Sequence, residues 1–105
     1  MKGLMDIMNL KIEKNGSELT VAVEGRLDTN TASELEERLG TSLDGVEKLV
    51  FDFEKLSYIS SAGLRLLLTS MQKMRPQGTM TVMNVNSTIM DIFEVTGFAE
   101  QLNIE

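Results

Sequence analysis

The apolar residues of this chain switch repeatedly between a period of two and a period near 3.6, and that switching restricts the fold more than any single motif. Leu10-Lys11-Ile12-Glu13 and Leu19-Thr20-Val21-Ala22-Val23-Glu24 alternate apolar and polar side chains, as strands with one buried face do. Lys14-Asn15-Gly16-Ser17 lies between them. An Asn-Gly pair in that position predicts a β-hairpin, with both turn residues at positive φ. The period then changes. Gly25-Arg26-Leu27-Asp28-Thr29-Asn30-Thr31 reads as a polar bend, and Thr31 with Glu34 has the spacing of a capping box. Ala32, Leu35 and Leu39 follow on one helical face, Glu34 and Arg38 are spaced for a surface ion pair, and Gly40 supplies a stop.

The alternation continues to the end of the chain. Lys48 to Phe53 reads as a strand whose run Leu49-Val50-Phe51 suits a central position covered on both faces. Leu56 to Gly63 leads into a helix with a core stripe of Leu64, Leu67, Leu68, Met71 and Met74, closed by Pro76 and Gly78. Thr79 to Val85 is a further strand. Asn86-Ser87 offers a cap to a third helix, with Ile89, Ile92 and Phe93 on its apolar face and Gly97 as its stop. Leu102 and Ile104 are spaced for a short edge strand. The order β-β-α-β-α-β-α implies right-handed crossovers. It predicts a mixed α/β sheet of four to five strands with an N-terminal hairpin, covered by three main helices, in one domain spanning residues 1–105.

Composition narrows the chemistry. The chain has no cysteine and no histidine, which removes disulfides, His/Cys metal sites and every Ser-His or Cys-His nucleophile pair. Neither glycine-rich phosphate loop occurs, so no nucleotide cofactor is implied. Asp52 and Glu54 share a strand face and could form a carboxylate pair, but acids exposed at a strand end are the commoner case. The sequence therefore reads as a non-enzyme. Its net charge of −6 disfavours binding to nucleic acid or to an anionic membrane surface. Met1 to Met8 lacks the shape of a signal peptide, and no aliphatic run exceeds Leu66-Leu67-Leu68, so a cytoplasmic location is expected.

One segment carries more than fold. Ile59-Ser60-Ser61-Ala62-Gly63-Leu64 places two serines and a glycine where the chain enters a helix. A helix N-terminus offers unpaired N–H groups and partial positive charge, so a serine there is either a cap or a phosphate acceptor. On physical grounds alone, capping is the commoner role.

Leu56-Ser57-Tyr58-Ile59-Ser60-Ser61-Ala62-Gly63-Leu64-Arg65-Leu66-Leu67 resembles the signature of the STAS domain, the fold of bacterial anti-sigma factor antagonists. Gly25 to Ala32 and Ile92-Phe93-Glu94-Val95-Thr96-Gly97-Phe98 are similar to further parts of that family. The resemblance implies that Ser61 is phosphorylated by an anti-sigma factor that is itself a serine kinase. On the same basis the unphosphorylated form binds that partner and frees a sigma factor, and a serine phosphatase could reset the switch. The partner-binding surface is expected to include Asp28, Thr29, Ser60, Ser61, Gly63, Arg65 and, on the separate argument below, Leu66, with Gly63 allowing a tight start to the helix. Two positions depart from the family pattern: Ser60 stands where phosphorylated members often have aspartate, and Ala62 where a second hydroxyl residue is common. STAS domains also serve as constitutive accessory subunits of transport or signalling complexes, and in that reading Ser61 is an N-cap only.

Leu66 is the residue that the core stripe does not accommodate. Counting 100° per residue from Leu64 places it at about 200°, beside Thr69 and Lys73 on the polar side. A leucine there is either a surface or helix-covered residue without a binding role, or a docking contact whose truncation leaves folding nearly unchanged.

Overall fold

The computed structural model describes residues 10–40 and 42–105. The reading of Met1 to Met8 lies outside the described residues. Strands β1 (Leu10–Asn15) and β2 (Glu18–Val23) form the expected antiparallel hairpin, with Asn15 opposite Glu18. The turn sits one residue later than the Asn-Gly pair suggested. It consists of Gly16 and Ser17, and Gly16 alone takes positive φ, at 65°. A glycine first in a two-residue loop matches the strand twist without needing a second left-handed residue.

The chain then leaves the main sheet. Gly25, at φ 82°, turns it into β3 (Gly25–Leu27), and helix α1 (Thr29–Leu39) follows at once. α1 buries Ala32, Leu35 and Leu39 as expected, and Glu34 meets Arg38 at 3.2 Å. Its cap is Asp28 rather than the Thr31–Glu34 pair. The Asp28 carboxylate accepts the N–H groups of Asn30 and Thr31, and Thr31 Oγ1 accepts the N–H of Asp28 in return. A capping box is present, one turn earlier than its spacing in the sequence suggested.

β4 (Lys48–Asp52) pairs in parallel with β2 on one side and with β6 (Thr79–Met83) on the other, giving the order β1-β2-β4-β6. Its Leu49-Val50-Phe51 run is buried, as a central strand requires. β6 ends two residues early because Asn84 turns the chain at φ 60°. The C-terminal residues line the outer edge of β6. Val82 and Ile104 form a parallel bridge, backed by Val82 N–H to Asn103 C=O and Glu105 N–H to Val82 C=O, both 2.9 Å. In place of the short edge strand expected from Leu102 and Ile104, a single bridge forms at Ile104, and Leu102 is buried in the core.

Helices cover one face of this sheet. Leu19, Val21, Leu49, Phe51, Met80 and Val82 point into a core shared with α1, α2 (Ser61–Met74) and α3 (Ser87–Thr96). The other face carries Thr20, Ala22, Val50 and Asp52, with Thr20 and Thr81 flanking Val50 in register. α3 is built as read. Asn86 Oδ1 accepts the Ile89 N–H at 2.9 Å, Ile89 and Phe93 are buried, and Gly97 ends the helix at φ 84°. A single 3-10 turn, Phe98–Glu100, follows.

A second, two-stranded sheet was not foreseen. β5 (Leu56–Ile59) pairs in parallel with β3. Strands this short show no readable period, and polar bend residues mask them in the sequence. Their pairing ends where Ser60 N–H donates to Leu27 C=O at 2.9 Å. α2 starts immediately afterwards and packs tightly on the pair. A Cβ at Gly63 would lie 2.7 Å from Ile59 Cγ1 and 2.9 Å from both Leu27 Cγ and Leu27 O. No real Cβ is tolerated at such distances, so glycine is required here for close approach. Gly63→Ala should lower stability by about 1–3 kcal/mol in urea unfolding, although alanine is the better helix former. An unchanged urea midpoint would show that α2 can ride up without cost.

Candidate functional site

The β3–β5 pair decides where the functional residues stand. Two parallel strands end side by side, and each feeds a helix, so the N-termini of α1 and α2 open next to one another. In parallel α/β architecture, the region beyond the carboxyl ends of strands is where ligands and partners are met. Here it contains Asp28 and Thr29 from one strand end, and Ser60 and Ser61 from the other.

The four residues play unlike parts. Asp28 is occupied by the cap of α1, and its carboxylate also lies 3.5 Å from Arg26 Nε. The Thr31 N–H is the main reason its carboxyl sits below the ordinary 3.8; the Thr31 hydroxyl, the Asn30 N–H and Arg26 add to this, and partial desolvation opposes it. Thr31 Oγ1 also donates to Arg26 C=O at 2.8 Å, which ties the end of β3 to the first turn of the helix. Thr29 is the first, exposed residue of α1.

Ser60 holds the N-cap position of α2 in extended geometry, yet makes no capping bond. Its Oγ is buried and has no hydrogen-bond partner. Ser61 is the first residue of α2, exposed, and among the described residues no side-chain hydrogen bond engages it. The cap position therefore belongs to Ser60, and the Ser61 hydroxyl is left uncommitted. No acidic residue stands in the first turn of α2, so its positive end is unneutralised.

Ser61, Thr29, Arg65 and Leu66 line one groove between α1 and α2, with Glu36 on the far wall. A second hollow continues it along the helices past Leu66 and Thr69 toward Leu39, Leu43 and Lys73. Arg65 is exposed one turn beyond Ser61. Gly63 is buried and presents no surface, so it acts by letting α2 sink onto β3 and β5. Of the two readings open for Leu66, cover by a neighbouring helix is the one found. Leu66 is only 6% exposed and belongs to the core cluster, because α1 packs over the side of α2 that the helical count placed among polar residues. The buried stripe of α2 is rotated accordingly, with Leu68 and Met71 only half-buried. Leu66 thus forms the floor of the groove and is a packing residue.

One exposed feature lay beyond sequence reasoning. Arg26 stacks over the ring of Tyr58 at 4.2 Å, the two being register partners across β3 and β5. Only the strand pairing reveals it. The Asp52–Glu54 pair resolves as strand-end structure, since Asp52 Oδ1 accepts Glu54 N–H and Asn84 Nδ2–H. Among the described residues no group of three or more acidic, histidine or cysteine side chains could hold a metal, and no helix is long and apolar enough to cross a membrane.

These features define a class: an α/β domain with helices on one face of a four-stranded sheet and a serine displayed at the start of its second helix. The family model for the STAS domain matches residues 9–105, and the chain belongs to that family. It is 32% identical to BtrV of Bordetella bronchiseptica over 93 residues, covering 87% of this chain and 80% of that protein. It is 31% identical to the anti-sigma-B factor antagonist of Staphylococcus aureus, covering 92% of this chain and 94% of the relative. Among solved structures, the Bacillus cell fate determinant SpoIIAA in its phosphorylated form matches with a TM-score of 0.73 at 20% identity, covering 91% of this chain and 90% of that one.

Two predictions follow from the geometry. Leu66→Ala should cost about 2–5 kcal/mol in urea unfolding, because it empties space between two packed helices. Stability within about 0.5 kcal/mol of the parent would contradict that placement. Asp28 supplies a pH test. A carboxyl held below its unfolded value stabilises the fold above that value and loses the contribution as pH falls through the folded one. The stability difference between the parent and Asp28→Asn should therefore be flat from neutral pH down to about pH 5. Below 3.8 it should shrink. A difference that stays constant in strong acid would mean that the charge on Asp28 plays no part in the cap.

Proposed function

We propose that this chain is an anti-sigma factor antagonist of the switch type. In its unphosphorylated form it docks an anti-sigma factor and so frees a sigma factor. The anti-sigma factor is also a serine kinase, and it ends the interaction by transferring the γ-phosphoryl group of ATP to Ser61 Oγ. The hydroxyl proton and ADP leave in that step, and a serine phosphatase restores the free hydroxyl. The chain acts in the cytoplasm as a binding protein and not as an enzyme.

The observation that carries this reading is the state of Ser61: exposed, first in α2, and not committed to a cap. A kinase needs a hydroxyl it can reach without unwinding structure. The alternative of a constitutive accessory subunit relied on Ser61 as an N-cap, and that position is held by Ser60. The names of the relatives favour the same reading, since the Staphylococcus aureus protein is an anti-sigma-B factor antagonist and SpoIIAA was solved in a phosphorylated form. Docking would use the α1–α2 groove and its rim at Thr29, Ser61 and Arg65. A phosphate there adds about −1.5 to −2 charges and three acceptor oxygens to the surface the partner must approach.

The test is direct. The protein is incubated with ATP and the anti-sigma kinase of its own genome, and the phosphate is mapped by mass spectrometry. Ser61→Ala should abolish labelling and Ser60→Ala should leave it largely intact. Phosphate on Ser57, Ser60 or Thr69 in the parent, or none at all, would overturn the proposal.

A further inference from the structure

Among the described residues Arg65 has no ion-pair partner. It stands four residues after Ser61 on the exposed side of α2, and both line the same groove. Among the described basic side chains, Lys11, Arg26, Arg38 and Lys55 lie within ion-pair distance of a carboxylate, and Lys14, Lys48, Arg65, Lys73 and Arg75 do not. Arg65 makes no such pair among the described residues, although Glu36 lines the opposite wall of the groove. The groove is lined by one basic side chain, Arg65, and one acidic, Glu36, and the N-terminus of α2 beside it has no side-chain cap. The hydroxyl of Ser61 sits at that N-terminus.

Helix geometry brings the two together. Residues four apart lie one above the other, with Cβ atoms about 5–6 Å apart. Every Cα–Cβ bond tilts toward the helix N-terminus, so the Arg65 side chain leans back toward Ser61. An anion placed N-terminal to a cation at this spacing is the favourable order along a helix. A guanidinium also presents a planar fork of donors that fits two phosphate oxygens at once.

We infer that Arg65 is the receptor for the phosphoryl group on Ser61, clamping it along the first turn of α2. The inference rests on the proposed reading of Ser61 as the acceptor. It makes the switch a double change. Without phosphate, the Arg65 guanidinium is free at the rim of the groove, available to a carboxylate or carbonyl of the docking partner. With phosphate, a negative group appears and the guanidinium turns inward to meet it, so the partner loses a donor and gains a repulsion together. The fold itself need not move. The uncapped first turn and the buried, unpartnered Ser60 Oγ leave no existing cap bond for the phosphate to break.

The experiment needs no kinase. Phosphoserine is inserted at position 61 during translation of the full chain, in the parent and in Arg65→Gln and Arg75→Gln backgrounds. Phosphorus NMR then follows its second ionisation against pH. A cation in contact favours the dianion, so the parent should titrate about half a pH unit below Arg65→Gln. Arg75→Gln removes an exposed charge farther along the same chain and should titrate with the parent. Coincident curves for the parent and Arg65→Gln, or an equal shift in Arg75→Gln, would overturn the clamp. Failure of kinase labelling at Ser61 would instead sink the functional reading and leave this titration readable.

Discussion

The hydrogen bond from Ser60 N–H to Leu27 C=O, 2.9 Å long, closes the short parallel pair on which the rest of the site depends. It fixes the last residue of β5 against the last residue of β3, and each strand runs straight into a helix. Two helix N-termini are thereby held side by side, and neither can shift without breaking the pair. Gly63 completes the constraint. With no Cβ, the first turn of α2 rests directly on Leu27 and Ile59, and Ser61 is set at a fixed height above the strand ends. The display of one serine is thus a consequence of backbone pairing and of a single missing methyl group.

The two helix starts have been given opposite chemistry. α1 is closed by a reciprocal box in which Asp28 and Thr31 satisfy each other's backbone, and Arg26 adds a cation to the same carboxylate. α2 is left open, with no side-chain cap, no acid in its first turn and, one turn along, an exposed arginine that forms no ion pair among the described residues. A closed end is a structural anchor. An open end beside a free hydroxyl can accept added negative charge with little rearrangement. The anchored end holds the groove in place, and the open end is the one left without a cap.

Much of the fold was legible because it depends on local chemistry. Alternation marked β1 and β2, an unbroken apolar run marked β4 as central, and Asn86 and Gly97 bounded α3 where their capping preferences indicated. The misreadings occur where distant segments decide. β3 and β5 are three and four residues long, and their pairing joins residues about thirty positions apart, so no local period records it. The Arg26–Tyr58 stack was hidden for the same reason. The cap of α1 was misplaced because Asp28-Thr29-Asn30-Thr31 offers several capping residues in a row, and the exit angle from β3 selects the first. Leu66 was left open between cover and exposure because the angular count treats α2 as a helix with one buried side. In the fold α2 is buried on two sides, against the sheet and against α1. The serine motif was visible throughout, but only the structure separates Ser60 at the cap from Ser61 beside it.

Under the proposed function, the partner meets the α1–α2 end of the molecule and not the sheet face that carries Thr20, Val50 and Thr81. Amide chemical-shift mapping of the labelled protein, titrated with the purified anti-sigma factor and a non-hydrolysable ATP analogue, tests this most directly. Perturbations should concentrate at Thr29, Glu36, Ser61, Arg65 and Thr69, with Lys11, Thr20, Val50 and Thr81 unaffected. Perturbations centred on that second group, with the amides around Ser61 unchanged, would contradict it.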